Sequence, residues 1–155
     1  MRPLNPAWTA ATARLVNDCP YFQLQSMRLT GLTPGACQLE IDLARKHLQP
    51  FGLVHGGVLA TLVDAAGFWA IYTLTDPGLG LTTVEMKLNF LAPAIKGVIR
   101  GFGKVVKMGR TLGLAEARVE DQEGRLLAHG TATLMAIKEL SLEGQEGLPP
   151  KFLEG

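Results

Sequence analysis

The sequence is dominated by an apolar run, residues 54–74, that holds one unambiguous charge at neutral pH, Asp64. A carboxylate in an apolar helix is costly unless it is hydrogen-bonded, paired with a cation or used in a reaction. The ordinary alternative is an Asp on the solvent side of an amphipathic helix. Helical spacing weakens that alternative, because the positions one turn away carry no charge: Ala60, Thr61, Gly67 and Phe68. The pattern predicts a helix that is buried nearly all round and carries a functional carboxylate.

Composition and charge exclude several classes of protein. The chain has 155 residues, of which 47% are hydrophobic and 19% charged, and these values are typical of one globular domain with a substantial core. Basic and acidic residues nearly balance, and the formal charge is +1. The protein therefore has no general attraction for nucleic acid or for an anionic membrane.

Metal-binding and targeting patterns are not found in the sequence. The cysteines and histidines are too scattered for a metal motif: Cys19, Cys37, His47, His55 and His129. We therefore expect reduced thiols and no metal. Arg2 is not followed by an apolar signal segment, and glycines together with Asp64 interrupt the apolar run, so a membrane span is not expected. The sequence predicts a cytoplasmic protein.

Turn residues divide the chain into helical and extended segments. Asn5 followed by Pro6 is typical of a helix start, and predicts a short helix in an N-terminal segment, residues 1–19. Alternation and turn clusters predict six strands: residues 21–30, 36–44, 82–92, 97–106, 111–120 and 125–138. Periodicity is lost over residues 139–155, which predicts a flexible C-terminal tail.

The order of these segments predicts the fold class. The short joins between the last three strands can link only antiparallel neighbours. The central helix, which should begin at His55 or Gly57, is the only element long and apolar enough to cover such a sheet. We predict an α+β domain over residues 20–138, with an antiparallel sheet wrapped around the helix. Alternation in the strand 82–92 places Val84 toward the core and Thr83 on the opposite face.

Four short segments together carry a family resemblance: GLVHGG (52–57), LVD (62–64), VEMKLNFLAP (84–93) and GRT (109–111). The pattern resembles the hotdog-fold acyl-CoA thioesterases, and within them the phenylacetate-degradation-type branch of the 4-hydroxybenzoyl-CoA thioesterase superfamily. The resemblance implies a homodimer whose sheets join edge to edge, often paired into a homotetramer. It also implies hydrolysis of acyl-CoA without a metal or other cofactor, since coenzyme A is part of the substrate.

Elementary chemistry predicts the same reaction from the residues. The unpaired N–H groups of a helix N-terminus can stabilise the oxyanion that forms on a thioester carbonyl, and Gly56 and Gly57 occupy that position. Asp64 can act as a general base for water or as a nucleophile. In one helix Gly56 and Asp64 lie about 12 Å apart along the axis, at roughly 1.5 Å per residue. We therefore expect Gly56 of one subunit to act with Asp64 of its partner.

The resemblance implies roles for further residues around this site. Gln49 occupies the position six residues before His55 where this branch commonly has an Asn, so its amide either replaces that Asn or belongs to an exposed loop. Thr83 matches a position where related enzymes have a Ser or Thr that orients the attacking water, or it is an ordinary β-branched strand residue. His55 caps the helix and orients the loop, or acts directly in catalysis. Arg110, with Thr111 beside it, fits the contact to the nucleotide part of coenzyme A, and Lys107 and Lys104 are alternatives. The ordinary alternative is that these basic residues are simply solvated in a turn.

The identity of the acyl group stays open at the level of sequence. Phe68 and Trp69 are candidates for lining the acyl pocket, and two aromatic side chains would suit an aryl-acyl or a medium-chain group. The alternative function is a non-catalytic acyl-CoA binding or sensing protein with the same fold. Such a protein would have little reason to keep a carboxylate in an apolar helix.

Overall fold

The computed structural model describes residues 1–153. The described residues form three α-helices: α1 (Pro6–Asn17), α2 (Pro20–Gln25) and α3 (Gly56–Tyr72). They also form six strands: β1 (Met27–Thr33), β2 (Ala36–Asp42), β3 (Leu79–Phe90), β4 (Val98–Met108), β5 (Leu112–Asp121) and β6 (Leu126–Lys138). Two short 3-10 turns, Arg45–His47 and Gln145–Gly147, lie outside these elements.

The six strands form one antiparallel sheet in the order β1-β2-β4-β5-β6-β3, and α3 lies against one of its faces. The side chains of Leu62, Val63 and Ala66 on α3 are fully buried against the strands. The sheet approaches the helix so closely that a Cβ added at Gly103 would lie 2.0 Å from the Ala66 carbonyl oxygen. The predicted α+β hotdog fold is therefore confirmed.

The segment predicted as the first strand is partly helical. Residues 20–25 form α2, and the strand begins only at Met27. Pro20 occupies the first turn of α2, where its fixed φ suits the helix and its missing N–H is not needed. Ser26, with φ of 50°, ends the helix and turns the chain into β1. Because residues 20–25 form a helix, α2 lies beside the middle of α3.

The alternation predicted for β3 is interrupted by a β-bulge. Thr83 pairs with Leu134 and Glu85 pairs with Thr133, so Val84 is the extra residue. Leu134 is fully buried beneath α3, so Thr83 faces the helix, while the side chain of Val84 is 50% exposed. The prediction that Val84 faces the core and Thr83 the opposite side is therefore wrong. A residue inserted in the ladder reverses which side chains share a face.

The segment after β6, predicted as a flexible tail, makes specific contacts with the rest of the domain. Phe152 forms an isolated β-bridge with Leu4. Lys151 is buried, and its amine donates hydrogen bonds to the carbonyl oxygens of Tyr72 and Thr75 at the end of α3. Burial lowers the pKa of Lys151 to about 7. Residues 154 and 155, the end of the predicted tail, lie outside the described residues.

The two cysteines are free thiols in different environments. Cys37 on β2 is buried and donates a 3.1 Å hydrogen bond to the Ala66 carbonyl oxygen, and burial raises its pKa to about 12. Cys19 is half-buried at the start of α2. Among the described helices, none has the length and apolar character needed to cross a membrane.

Candidate active site

The first turn of α3 leaves one glycine amide without a partner. His55 is the N-cap residue, and its Nδ1 accepts a 2.8 Å hydrogen bond from the Gly57 N–H. The His55 carbonyl oxygen accepts the N–H of Val58 at 2.9 Å. Within residues 1–153 no hydrogen bond is made by the Gly56 N–H. The expectation that both glycines offer free amides is therefore corrected: Gly57 is occupied by the cap, and Gly56 is the available donor.

Gly56 lines a cavity of about 330 Å³. This cavity is lined mainly by apolar side chains: Leu53, Val54, Leu59, Phe90, Leu91, Ala92, Pro93 and Ala94. A Cβ added at Gly56 would lie 3.0 Å from Cζ of Phe90, so a larger residue here would crowd both the ring and the amide. Gln49 lines the same cavity. The structure thus brings together two predicted site residues, Gln49 and Gly56.

The side chain of Gln49 is held by its own loop. Its Oε1 accepts a hydrogen bond from the N–H of Phe51, two residues later. Its backbone N–H donates to the Leu53 carbonyl oxygen at 2.8 Å, and its own carbonyl oxygen accepts the Gly52 N–H at 2.9 Å. The amide oxygen of Gln49 is therefore engaged within the loop. Its Nε2 group, which is the donor of the side-chain amide, is left to bind a ligand in the cavity.

Asp64 lies in the middle of α3, next to a different cavity of about 210 Å³. The Thr83 hydroxyl donates a 2.8 Å hydrogen bond to Oδ1 of Asp64 and so brings a third predicted site residue to the carboxylate. Within residues 1–153 no cation forms a salt bridge with Asp64. A half-buried carboxylate with a single hydrogen-bond donor keeps acceptor capacity for a water molecule or a substrate.

Half of the residues that line the cavity beside Asp64 are aromatic, and two of these, Tyr21 and Phe22, belong to α2, a helix that the sequence did not predict. The lining residues other than Asp64 are Tyr21, Phe22, Met27, Thr61, Ala65, Phe68 and Trp69. The Tyr21 hydroxyl and the Thr61 hydroxyl form a 2.8 Å hydrogen bond that ties α2 to α3. Phe68 and Trp69, the candidates for lining an acyl pocket, meet edge to face with ring centroids 5.3 Å apart. The sequence predicted a strand over residues 21–30, so the residues of α2 were not expected beside Asp64. Pro20 was the signal that could have indicated a helix start.

Gly56 and Asp64 do not share a cavity in one chain. They are eight residues apart on the same helix, which corresponds to about 12 Å along its axis. The Gly56 cavity and the Asp64 cavity have no lining residue in common. One chain therefore presents two half-sites, one with the amide donor and one with the carboxylate.

The predicted nucleotide-binding residues lie at the other end of α3. Lys107, Arg110 and Thr111 are exposed in and beside the hairpin between β4 and β5. A Cβ added at Gly113, at the base of this hairpin, would lie 3.0 Å from Ile71 near the C-terminal end of α3. The structure therefore does not bring these residues to Gly56 or Asp64 within one chain.

The model of the thioesterase superfamily matches residues 51–128, which is half of the chain. The chain belongs to the thioesterase superfamily. The acyl-coenzyme A thioesterase 13 of Mus musculus is 30% identical over 112 residues, which cover 71% of this chain and 79% of the relative. The proofreading thioesterase EntH of Klebsiella pneumoniae is 31% identical over 96 residues, which cover 62% of this chain and 70% of the relative.

Solved structures agree with this assignment. A thioesterase family protein from Silicibacter pomeroyi has a TM-score of 0.76 and 34% sequence identity, and the match covers 83% of this chain and 98% of that protein. The prediction of a thioester hydrolase is confirmed at the level of the superfamily. The phenylacetate-degradation branch stays a prediction.

In this thioesterase the family match covers only part of the candidate site. Residues 51–128 include Gly56, Asp64 and Thr83, but α2 lies before them. The α2 side chains beside Asp64 are therefore features of this chain rather than of the matched segment. Within residues 1–153, no group of three or more His, Cys, Asp or Glu side chains is placed to hold a metal ion.

Proposed function

We propose that this thioesterase hydrolyses acyl-CoA thioesters at sites that two subunits complete together. The Gly56 amide of one subunit and Asp64 of the other would lie on either side of the reacting carbonyl. The observation that carries the proposal is the separation of these groups in one chain: each lines its own cavity, about 12 Å apart along α3. Neither cavity contains both an oxyanion donor and an attacking group.

The chemistry requires each half-site to do a different task. When water adds to the carbonyl carbon, Asp64 takes a proton from that water, and the carbonyl oxygen becomes an oxyanion held by the Gly56 N–H. Collapse of the intermediate breaks the carbon–sulfur bond, and coenzyme A leaves as the thiolate. The proton on Asp64 passes to this sulfur, so the products are the free acid and coenzyme A.

The alternative role of Asp64 is that of a nucleophile. Its carboxylate would attack the carbonyl carbon and expel the thiolate, and water would then hydrolyse the resulting mixed anhydride. In either role the bond from Thr83 fixes Oδ1 and leaves Oδ2 as the reacting oxygen. Label found in Asp64 after a single turnover in ¹⁸O-labelled water identifies the anhydride route, because general-base catalysis places the label only in the product acid.

The exposed edge of β3 supports a homodimer. Within residues 1–153, β3 is the last strand of the sheet and pairs only with β6. Large apolar side chains are exposed along and just after it: Val84, Met86, Phe90 and Leu91. An exposed apolar edge strand favours pairing with another strand, and a second copy of this chain offers one. Phe90 also packs on Gly56, so this edge is continuous with the half-site that a partner would complete.

The cavity beside Asp64 supports an aryl-acyl substrate more than a long aliphatic one. A cavity of about 150 Å³ is enough for a benzene molecule. The 210 Å³ available here would take one ring with a short linker, and four of the eight lining residues are aromatic. We therefore propose an aryl-acyl or medium-chain acyl-CoA as substrate. The cytoplasmic location and the lack of nucleic-acid, membrane or cofactor partners are kept as predictions from the sequence.

Thiol release from a panel of acyl-CoA esters tests the proposed function. We expect turnover of phenylacetyl-CoA and octanoyl-CoA, and slower turnover of palmitoyl-CoA. Asp64→Asn should lower kcat by about 10²- to 10⁴-fold while acyl-CoA binding persists. The matched control is Asp42→Asn, which changes an exposed carboxylate on β2 and should keep wild-type kcat. Binding without turnover of any ester by the wild type would favour the sensing alternative.

A further inference from the structure

His47 is a buried histidine beside the Gly56 half-site, and it has no part in the chemistry proposed above. Its side chain lies in the 3-10 turn Arg45–His47 and the residue is only 2% exposed. Nδ1 accepts a 2.9 Å hydrogen bond from the Ala44 N–H, and Nε2 lies 2.9 Å from the Gln25 carbonyl oxygen. A carbonyl oxygen can only accept, so Nε2 is the donor in the bond to Gln25.

The backbone of His47 continues this set of bonds to the start of α3. Its carbonyl oxygen accepts the His55 N–H at 2.9 Å. The His55 ring in turn accepts the Gly57 N–H at 2.8 Å. A continuous series of hydrogen bonds therefore runs from the last residue of α2, through His47 and His55, to the first turn of α3. At the end of this series the amide of Gly57 is occupied, and that of Gly56 is free.

We propose that His47 is a positioning residue that, by holding His55 in place, determines which glycine amide meets the thioester carbonyl. This inference rests on the proposed role of Gly56 as the oxyanion donor. Without the ring of His47 the 3-10 turn loses one of its two attachments to α2, the one next to His55, and His55 loses its fixed position. The Gly57 N–H is then released and Gly56 moves away from its place beside Gln49. A misplacement of about 1 Å at a reacting centre can cost roughly 100-fold in rate.

Lys46 offers a matched control, because it supports the same end of α2 by a different route. Its Nζ donates to the Leu24 carbonyl oxygen at 2.6 Å and to the Ser26 hydroxyl at 2.7 Å. None of its described hydrogen bonds reaches His55. Lys46→Met therefore weakens the attachment of α2 while leaving the series from His47 to Gly57 intact.

The test compares His47→Leu, His47→Asn and Lys46→Met in the thiol-release assay with the full-length protein. His47→Leu removes both ring bonds, whereas Asn keeps an acceptor for Ala44 but is too short to reach Gln25. We expect both His47 variants to lower kcat by about 10- to 100-fold with KM changed less than about twofold, because the lost interaction acts in the transition state. Lys46→Met should lower the urea midpoint of unfolding and keep kcat within about twofold.

Two further measurements separate positioning from a general loss of structure. Amide exchange measured by NMR should accelerate at Gly57 in His47→Leu and not in Lys46→Met. In a His55→Ala background, where the cap is already absent, His47→Leu should cause no further loss of kcat. Full additivity of the two substitutions, or an equal loss of kcat in Lys46→Met, would overturn the inference.

The inference and the proposed function fail in different ways. If the wild type does not hydrolyse any thioester, or if Asp64→Asn retains full activity, the proposed function is wrong. If both of those tests succeed and a folded His47→Leu keeps wild-type kcat, only the role of His47 is wrong. Where His47→Leu does not fold, His47→Asn decides: reduced kcat at unchanged KM supports the role, and wild-type kcat overturns it.

Discussion

The hydroxyl of Thr83 on β3 donates a hydrogen bond of 2.8 Å to Oδ1 of Asp64 on α3. This bond exists because the bulge at Val84 turns Thr83 toward the helix, so that a strand residue reaches the carboxylate from the sheet. A regular strand that kept the apolar residues after Val84 facing the helix would have placed the hydroxyl on the outer face. The bulge therefore determines how the carboxylate is held.

Replacement of Thr83 should separate the hydroxyl from the shape of the side chain. Thr83→Val keeps the shape and removes the donor, and we expect kcat to fall by roughly 10- to 100-fold, the equivalent of about 1.5–3 kcal/mol for a hydrogen bond to a charged group. Thr83→Ser keeps the donor and should retain most of the activity. The measurement is steady-state thiol release for each variant. Equal activity of the Val and Ser variants would show that the hydroxyl has no part in the reaction.

Subunit mixing tests whether the active site is shared. Asp64→Asn lacks the attacking group, and Gly56→Ala adds a Cβ that would lie 3.0 Å from the Phe90 ring and crowd the amide. Each variant should be inactive alone. A heterodimer of the two contains one intact site, so an equal mixture should regain about one quarter of wild-type activity when subunits exchange at random.

The control for this experiment is a mixture of Asp64→Asn with the double variant Asp64→Asn/Gly56→Ala, which can form no intact site. Native mass spectrometry verifies that the subunits exchange. If heterodimers form and no activity returns, the two half-sites of one chain do not meet those of a partner.

The sequence was sufficient to predict the central helix and the spacing of its two candidate site residues. A charge among apolar residues marked Asp64, and a pair of glycines at the helix start marked Gly56, because both are costly unless they are used. Eight residues of helix then separate the two by a distance that a single carbonyl cannot span. These deductions depend only on local spacing, which the sequence contains directly.

The features that the sequence did not predict depend on contacts between distant segments. The bulge at Val84 leaves the apolar and polar residues of β3 in apparent alternation, so the reversal of Thr83 is invisible in the pattern. The six residues of α2 are too few to establish a helical period, and contacts with α1 and β1 and the Tyr21–Thr61 hydrogen bond to α3 stabilise them instead. The occupied amide of Gly57 required the side-chain direction of His55, which spacing alone cannot supply.

Arg110 should contribute to substrate binding only through the nucleotide part of coenzyme A. The β4–β5 hairpin lies near the C-terminal end of α3, away from Gly56, so within one chain Arg110 is not placed to contact a thioester held at Gly56. We expect Arg110→Glu to raise KM for acyl-CoA by about tenfold or more, since a charge-assisted contact to phosphate is lost and a repulsive one is introduced.

A thioester that lacks the nucleotide provides the comparison for Arg110. KM for an N-acetylcysteamine thioester should change less than about twofold in the same variant. Arg14→Glu, an exposed charge reversal on α1, should leave both KM values unchanged. A similar increase of KM for both substrates in Arg110→Glu would remove the nucleotide contact from the proposal.

Lys151 should make the stability of the protein depend on pH. Its amine donates to the Thr75 carbonyl oxygen at 2.8 Å and to the Thr75 hydroxyl at 2.9 Å, and it also bonds the carbonyl oxygen of Tyr72. Burial lowers the pKa of Lys151 from 10.5 to about 7, so between these pH values the unfolded chain binds more protons at this site than the folded one. The contribution of Lys151 to the free energy of unfolding therefore rises with pH across that window and is constant below it.

We expect Lys151→Met to be less stable than the wild type at pH 9, by about 1–3 kcal/mol for the carbonyl oxygens left without a donor. The difference should shrink as the pH is lowered toward 7, as measured by urea unfolding at several pH values.

The control is Arg28→Met, which breaks an exposed ion pair with Asp42 and should cost less than about 1 kcal/mol with no dependence on pH over this range. A stability difference for Lys151→Met that stays constant between pH 7 and 9.5 would mean that the amine keeps its proton in the folded protein, held by the carbonyl oxygens at the end of α3 despite its burial.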